Sequence, residues 1–562
     1  MYVVSIICTM IVVIAILAVF MREENLQMGA GAQNQKLLDN QEKLYMVLVI
    51  IGIILLIITR VYKLGTVPDG VNQDEAMAAV DAYALSEYGT DRFGMSYPVH
   101  FTAWGYGQMS VLLSYLMIPF IKLGGLNILS VRLPMMLISL FGGFTLFLLI
   151  SKAVGKRAGL IILYLTVMNP WHFMQSRWSL DCNVFPHMFI IGMYFLYKGF
   201  RRKRYIYISM FFFAMSMYCY GVSFYVVPFF LLFACVIMNK MKLINLSQSF
   251  LSAGIYFLFA WPIYLTMLIN AMGWDTIHFF GITLPYFPGS VRSGDILFFS
   301  EEPGKQFLRN LYSLLRIVFI QERDSIWNAL DNFGTIYWCT MPFVFVGLIY
   351  VIQIICREKD KEKKMAFALL LIYWFCGLLA GLLIANVNVN RINIIFYAQI
   401  ILAALGIEYI VKKSNRVLPV ICGVYLCMSI VFTVQYYRVY AEDIRDYFFA
   451  DFLEAIEEAQ KLNSDCYYIA LATQYDEAAN CSEILTLYEQ KIDALYFQGK
   501  TNLFMGKEIA YDERYHYNIP EDDEINCDED IVYVLRSEQR GRFSEDEFEV
   551  REFGEFILVR SR

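Results

Sequence analysis

Asp74 and Glu75 are neighbouring carboxylates just past the turn-forming Pro68-Asp69-Gly70, in a polar stretch from Val67 to Gly94 that separates long apolar runs. A carboxylate can take the proton of an attacking hydroxyl, cap the start of a helix or join others around a hard divalent cation. Apolar residues at helical spacing follow the pair (Met77, Val80, Ala84, Leu85), so it opens a short amphipathic helix, and the capping reading stands beside the catalytic one. Further on, NPWHFMQSRWSLDCNVFP sets Arg177 and Asp181 four apart. On a helix they would share a face, either as an ion pair pinning helix ends or as part of a site, because ionisable groups among apolar helices are functional candidates by default. Arg132, in SVRLP, opens another apolar run and either snorkels to lipid phosphate or faces the acids. Arg391, in NVNVNRINIIF, opens a late run. Acids and arginines together suit a carboxylate base working beside planar cationic donors for phosphate.

These residues must be held by membrane helices. The chain has 562 residues, 58% of them hydrophobic and 17% charged, with a mean hydropathy of +0.49. Its apolar runs approach the ~20 residues that cross a bilayer as a helix. The expected spans are Tyr2–Phe20, Leu44–Thr59, Leu133–Ile150, Leu160–Met174, Val184–Tyr197, Tyr205–Tyr220, Val222–Met238, Phe250–Ile269, Tyr337–Ile355, Met365–Ala385, Ile392–Val411 and Val417–Val434. The first lacks the positive flank of a secretory signal and reads as an uncleaved span. Val111–Leu123 is short and carries Pro119, which suits a helix lying in the interface.

Five basic clusters, at residues 152–157, 198–204, 240–242, 357–364 and 412–416, fall on alternate connections if Val111–Leu123 does not cross. Basic connections mark the cytoplasmic side. That parity puts Asp74, Glu75, Arg132, Arg177, Asp181, Arg391 and the tail on the outer face. The tail is a separate body by charge: residues 441–562 carry 30 acids and 12 bases, a net of −18, against 22 acids and 34 bases, net +12, before it. A helical pattern from Ile444 to Ile456, strand-like runs at Tyr467–Leu471 and Ile531–Leu535, and two runs around Gly554 make it a small α/β domain. The twelve cysteines show no metal spacing, and one disulfide among Cys466, Cys481 and Cys527 is open to the tail. The expected fold is therefore a polytopic α-helical membrane protein of about twelve spans. It divides into an extra first span and linker (1–43), a helical catalytic part (44–440) and an extracytoplasmic α/β domain (441–562).

The order QDEA, YGTDRFG, an interfacial helix with Pro119, RLP at Arg132–Pro134, SR-x(3)-D at Ser176–Asp181 and NRIN at Asn390–Asn393 resembles the type C glycosyltransferases (GT-C). The likeness is to the branch of protein O-mannosyltransferases and aminoarabinose transferases, and it covers roughly residues 44–440. It implies a polyprenyl-phosphate sugar donor, an external active site and inversion at the anomeric carbon. It further implies Asp74 as catalytic carboxylate supported by Glu75, Asp181 as second acid, and Arg132, Arg177 and Arg391 as donor-binding residues. Aromatic residues near the rims, such as Tyr106, Tyr218, Tyr220, Tyr225 and Tyr286, are expected to contact sugar or prenyl, or simply to form interfacial belts. No obligatory metal is expected, although Asp74, Glu75 and Asp181 could hold a divalent cation. The transferred sugar is expected to be a hexose or pentose, the acceptor a protein, lipid or cell-envelope hydroxyl, and the setting a bacterial plasma membrane; no nucleic-acid partner is expected. A lipid-linked saccharide flippase predicts related halves and mid-bilayer charges, and a polysaccharide polymerase or ligase predicts key arginines in late loops without an early acidic pair.

Overall fold

The computed structural model describes residues 35–104, 107–288, 296–297, 300–473 and 480–562; the expected span Tyr2–Phe20 and Tyr106 lie outside them. From the start the chain runs α1 (Gln35–Val61), α2 (Gln73–Tyr88), a hairpin of β1 (His100–Ala103) and β2 (Gly107–Ser110), α3 (Leu112–Gly124) and α4 (Ile128–Ala153). Next come α5 (Lys156–Met168), α6 (Pro170–Gln175), α7 (Asp181–Gly199), α8 (Arg204–Ser216), α9 (Ser223–Lys240) and α10 (Leu246–Met272). A second hairpin, β3 (Ile277–Phe279) and β4 (Ile282–Leu284), and α11 (Pro303–Leu315) precede α12 (Met341–Arg357), α13 (Lys361–Leu383), α14 (Ile395–Lys413) and α15 (Leu418–Gln435).

Eight described helices are long and apolar enough to cross a membrane: α1, α4, α9, α10 and α12 to α15, so this is a membrane protein. The other expected spans take a different form. Leu160–Met174 breaks at Asn169, because Pro170 lacks the N–H to continue α5 and the Asn169 side chain instead caps α6 by accepting from the His172 N–H at 2.8 Å. Val184–Tyr197 lies within the 19-residue α7, whereas Tyr205–Tyr220 runs four residues past the end of the 13-residue α8. Thirteen residues reach ~20 Å, short of a ~30 Å hydrocarbon core. Helix α3, also 13 residues with Pro119 inside, has the length of an interfacial helix and packs Leu113, Met117 and Ile121 inward.

The innermost helix is α14, which runs against α12, α13 and α5. Gly347 of α12 and Gly406 of α14 allow that crossing: a Cβ on either would collide with a facing backbone carbonyl.

The tail forms a five-stranded sheet covered by α16 (Ala450–Leu462), and α17 (Asn480–Glu489) packs between α16 and α2. Its strands are β5 (Cys466–Ile469), β6 (Tyr515–His516), β7 (Ile531–Arg536), β8 (Phe548–Phe553) and β9 (Phe556–Ser561), in the spatial order β8-β9-β7-β5-β6. The expected helix from Ile444 starts later, at Ala450, because Phe449 takes a left-handed conformation (φ 55°) and interrupts it. Cys466, Cys481 and Cys527 are free thiols, so the disulfide open to the tail does not form.

Candidate active site

Helix α2 is capped by Asn72, whose Oδ1 accepts the Asp74 N–H at 3.0 Å. The cap expected of the acids is thus filled by their neighbour. Asp74, in the first turn, is half-buried, whereas Glu75 is wholly buried. Glu75 accepts from Arg132 Nε and Nη2, each at 3.0 Å, and from the Ser179 N–H at 2.9 Å. The two adjacent acids therefore point to different environments, one into the protein and one to its rim.

Arg132 uses its remaining donors on the carbonyls of Leu64 (3.3 Å), Pro68 (2.7 Å) and Gly70 (2.8 Å). Arg177 sits in the break between α6 and α7, so it does not form the expected helical i,i+4 pair with Asp181. Its guanidinium turns to the end of α1 and donates to the carbonyls of Arg60 (3.0 Å), Tyr62 (2.7 Å), Lys63 (2.9 Å) and Val67 (3.0 Å) and to the Tyr436 hydroxyl (3.2 Å). The Arg60 carbonyl is one of those that the C-terminus of α1 leaves without an intrahelical partner, and a cation there is favoured by the helix dipole. Phe173, Tyr436 and Tyr437 ring the guanidinium at 5.3–5.6 Å. Both arginines are fully buried and together stitch the segment from Tyr62 to Gly70 that leads to Asp74.

Asp181 is half-buried at the first position of α7 and accepts the Cys182 N–H at 2.6 Å. Glu75 accepts the Ser179 N–H, so the start of α2 that carries Asp74 meets the segment that leads into Asp181. From the NRIN segment, Asn393 reaches the same turn, donating to Asn183 Oδ1 at 2.9 Å and to the Cys182 carbonyl at 3.2 Å, and accepting from Trp171 Nε1. Arg391, two residues earlier, is half-buried, donates to the Ala385 carbonyl and lies close enough to Tyr225 to act on it electrostatically. Asp74, Asp181 and Arg391 thus belong to three segments that converge at the start of α7.

Asn72 and Asn393 are absent from the residues the sequence singles out, as is a deeper network. Arg60 donates to the Thr166 and Val167 carbonyls at 2.8 Å and contacts His172 Nδ1, while His172 and His187 share the Tyr397 hydroxyl at 3.0 and 2.8 Å. It locks α5 to α6 behind the rim. Asn393 stood inside a motif whose arginine drew attention, and Arg60 ends an apolar run where a basic flank is ordinary.

Helix α2 and the turn after it carry their own acids. Asp81 pairs with Arg92, and Asp91, fully buried, accepts the N–H groups of Phe93 (3.0 Å) and Met95 (2.8 Å) through one oxygen while the other has no partner. Burial and then the Asp81 charge push the Asp91 carboxyl up to about 7. The tail grips this loop: Phe448 accepts the Val71 N–H at 2.7 Å, Arg445 pairs with Asp69, and Gln498 donates to the Arg92 carbonyl at 3.0 Å. Between them opens a cleft of about 400 Å³ with Asp69, Glu454, Glu457 and Glu489 on its walls.

No family model matches the sequence, and no curated protein does. Among solved structures, ArnT from Cupriavidus metallidurans bound to undecaprenyl phosphate matches with a TM-score of 0.52 at 11% identity, over 92% of this chain and 97% of that one. The chain has the GT-C fold. The oligosaccharyltransferase of Archaeoglobus fulgidus in its apo form matches at TM-score 0.48 and 13% identity, over 88% of this chain and 70% of that one. At these identities the likeness concerns the arrangement of helices and leaves the chemistry to the residues of the site. The same oligosaccharyltransferase is also known in complex with zinc and sulfate. Here both Glu75 oxygens are engaged by Arg132, and among the described residues no three His, Cys, Asp or Glu side chains gather as a metal site. Of the three acids that could hold a divalent cation, Glu75 is thus already taken up by Arg132.

Proposed function

We propose that the chain is an inverting membrane glycosyltransferase that moves a sugar from a polyprenyl-phosphate donor to an acceptor hydroxyl, with Asp74 as the base. The observation that carries this reading is the division of the acidic pair: Asn72 caps the helix and Glu75 anchors Arg132, while Asp74 lies half-buried at the rim, on the segment that meets the lead into Asp181. ArnT, which has this arrangement of helices, was crystallised with undecaprenyl phosphate, which supports a lipid-linked donor.

An acceptor hydroxyl is a weak nucleophile, and a carboxylate within hydrogen-bond reach takes its proton as the anomeric carbon is attacked from the face opposite the phosphate. The leaving phosphate needs no acid; it needs positive donors where water is partly excluded. Arg132 and Arg177 spend their donors on Glu75 and loop carbonyls, so in this reading they position the Asp74 loop; Arg391, half-buried two residues before Asn393, which bonds to the start of α7, meets the donor phosphate. Asp181 orients the acceptor or Asp74 from across the start of α7.

The test is single-turnover transfer from a labelled polyprenyl-phosphate sugar by purified protein. Asp74→Asn keeps the size of the side chain and leaves the Asn72 cap intact, so its melting temperature should stay at the native value. Turnover should fall ~10²–10⁴-fold, the contribution of a general base. Near-normal turnover by a folded Asp74→Asn protein would remove Asp74 from the mechanism. The proposed outward orientation is checked separately with an impermeant thiol reagent on intact cells. Exposed Cys527 in the tail should label, and exposed Cys356, at the end of α12 beside Arg357, should label only after the membrane is opened. The reverse pattern would place the site on the opposite side.

A further inference from the structure

The connection after α10 carries an apolar surface that the transfer reaction does not use. Phe250, Phe257, Leu268 and Met272 fall on one face of α10 and are exposed on the outside of the helix bundle, as expected of a stripe that meets lipid. The stripe does not end with the helix. Trp274, Phe279 and Phe280 continue it into the β3–β4 hairpin, with Phe280 at the tip 93% exposed. The turn there is tight, with positive φ at both Phe280 (46°) and Gly281 (81°).

The hairpin folds back along the helix rather than away from it. The Phe279 ring meets the Trp261 ring at 5.7 Å, and Trp261 lies eleven residues before the end of α10. At ~1.5 Å per residue that contact is ~16 Å below the helix end. A 27-residue helix is ~40 Å long against a ~30 Å hydrocarbon core, leaving ~10 Å to spare. The hairpin tip therefore reaches the depth of the headgroups and upper acyl chains, where aromatic side chains are enriched. A second element of the same connection has a matching surface. Helix α11 exposes Leu308 and Tyr312 beside Lys305 and Arg309, and Asn310 on its packed face donates to the Leu382 carbonyl at the end of α13. An apolar face flanked by bases is the pattern of a helix lying on a membrane.

We infer that the β3–β4 hairpin is a membrane anchor seated in the lipid of the leaflet beside the candidate site. Its inner edge explains what it anchors: the Thr283 carbonyl accepts the Val99 N–H at 3.0 Å, and the Gly281 carbonyl accepts from the Ser96 hydroxyl at 3.0 Å. The bilayer thereby holds the segment following α2, and with it the rim carrying Asp74, at a fixed depth. The inference rests on the membrane fold and is independent of the reaction assigned to the site.

The experiment is photo-cross-linking of the full-length protein in nanodiscs of phosphatidylethanolamine and phosphatidylglycerol. p-Benzoylphenylalanine is placed singly at Phe280, at Ile277 and, as a control in the tail, at Glu545. Substitution at a surface position should leave the melting temperature unchanged, and Ile277 supplies a second probe should Phe280 be poorly tolerated. Intact-protein mass spectrometry should show phospholipid adducts at Phe280 and Ile277 at least tenfold above Glu545. Adducts equal to the Glu545 background, or cross-links from Phe280 only to another protein segment or a second copy of the chain, would overturn the anchor.

Discussion

The inner wall and the outer rim of the first loop carry the same side-chain types and put them to opposite uses. On the inner wall, Glu75, Arg132 and Arg177 are fully buried, and their donors and acceptors are spent on each other and on backbone carbonyls. On the rim, Asp74, Asp181 and Arg391 are half-buried and come from three separate segments. Residue type alone does not separate them. Burial does, because a fully buried arginine whose donors are spent on carbonyls would have to break several bonds to bind a phosphate.

The largest effect should come from breaking the inner wall. Glu75→Ala leaves Arg132 charged, buried and short of its carboxylate, a loss of ~3–5 kcal/mol for a buried pair deprived of one partner. The expected outcome is a poorly folded protein with a sharply lowered melting temperature, and Arg132→Ala should match it. Arg132→Lys should not rescue, since an ammonium cannot span Glu75 and three carbonyls at once. A well-folded Arg132→Ala protein whose only defect was donor affinity would dissolve the distinction between wall and rim and restore Arg132 to the phosphate.

On the rim the loss should be smaller and confined to binding. Arg391→Ala removes a charge-assisted donor worth ~1.5–3 kcal/mol, so donor KM should rise about tenfold or more while the melting temperature moves little. Arg391→Lys should recover part of that loss as a point charge. Unchanged donor KM in Arg391→Ala would leave the phosphate without an assigned arginine.

Much of this architecture was legible in the sequence because hydrophobic length is a one-dimensional signal. Leu133–Ile150 or Met365–Ala385 can be recognised without knowing their neighbours, and the alternation around Gly554 is resolved as the β8–β9 hairpin. The break at Asn169 was less legible, since Pro170 at the first position of a helix and Pro119 inside one look alike in the chain. The acidic pair was found but not its division, which depends on Asn72 taking the cap and Arg132 arriving from 57 residues away. Arg177 drew attention through Asp181, four residues on. Its actual partners are carbonyls of Thr59 to Val67, more than a hundred residues earlier, and carbonyls leave no mark on a sequence. The hold of the tail on the loop escaped for the same reason: Phe448 and Gln498 meet backbone groups.

The smallest effect concerns Asp91, in the loop after α2 that Gln498 of the tail covers. Its carboxyl is held at about 7 by burial and by Asp81, opposed by the backbone N–H groups of Met95 and Phe93 and by Arg92. In the unfolded chain an aspartate titrates near ~3.9. Between about 4 and about 7 the folded protein thus keeps a proton that the unfolded chain has released. The stabilisation is complete below about 4, declines as pH rises and is gone above about 7. Asp91→Asn keeps the oxygen that accepts from Phe93 and Met95 and places a neutral amide where the other oxygen has no partner. Its melting temperature should therefore exceed that of the native protein by a few degrees at pH 8, with the gap closing towards pH 5. Reading the difference between the two proteins cancels other acids that titrate in the same window, such as Glu489, also raised to about 7 by burial and Glu457. Parallel melting curves from pH 5 to 8 would mean that Asp91 is ionised and partnered throughout, and that the loop under the tail is held by the same kind of saturated charge as Glu75.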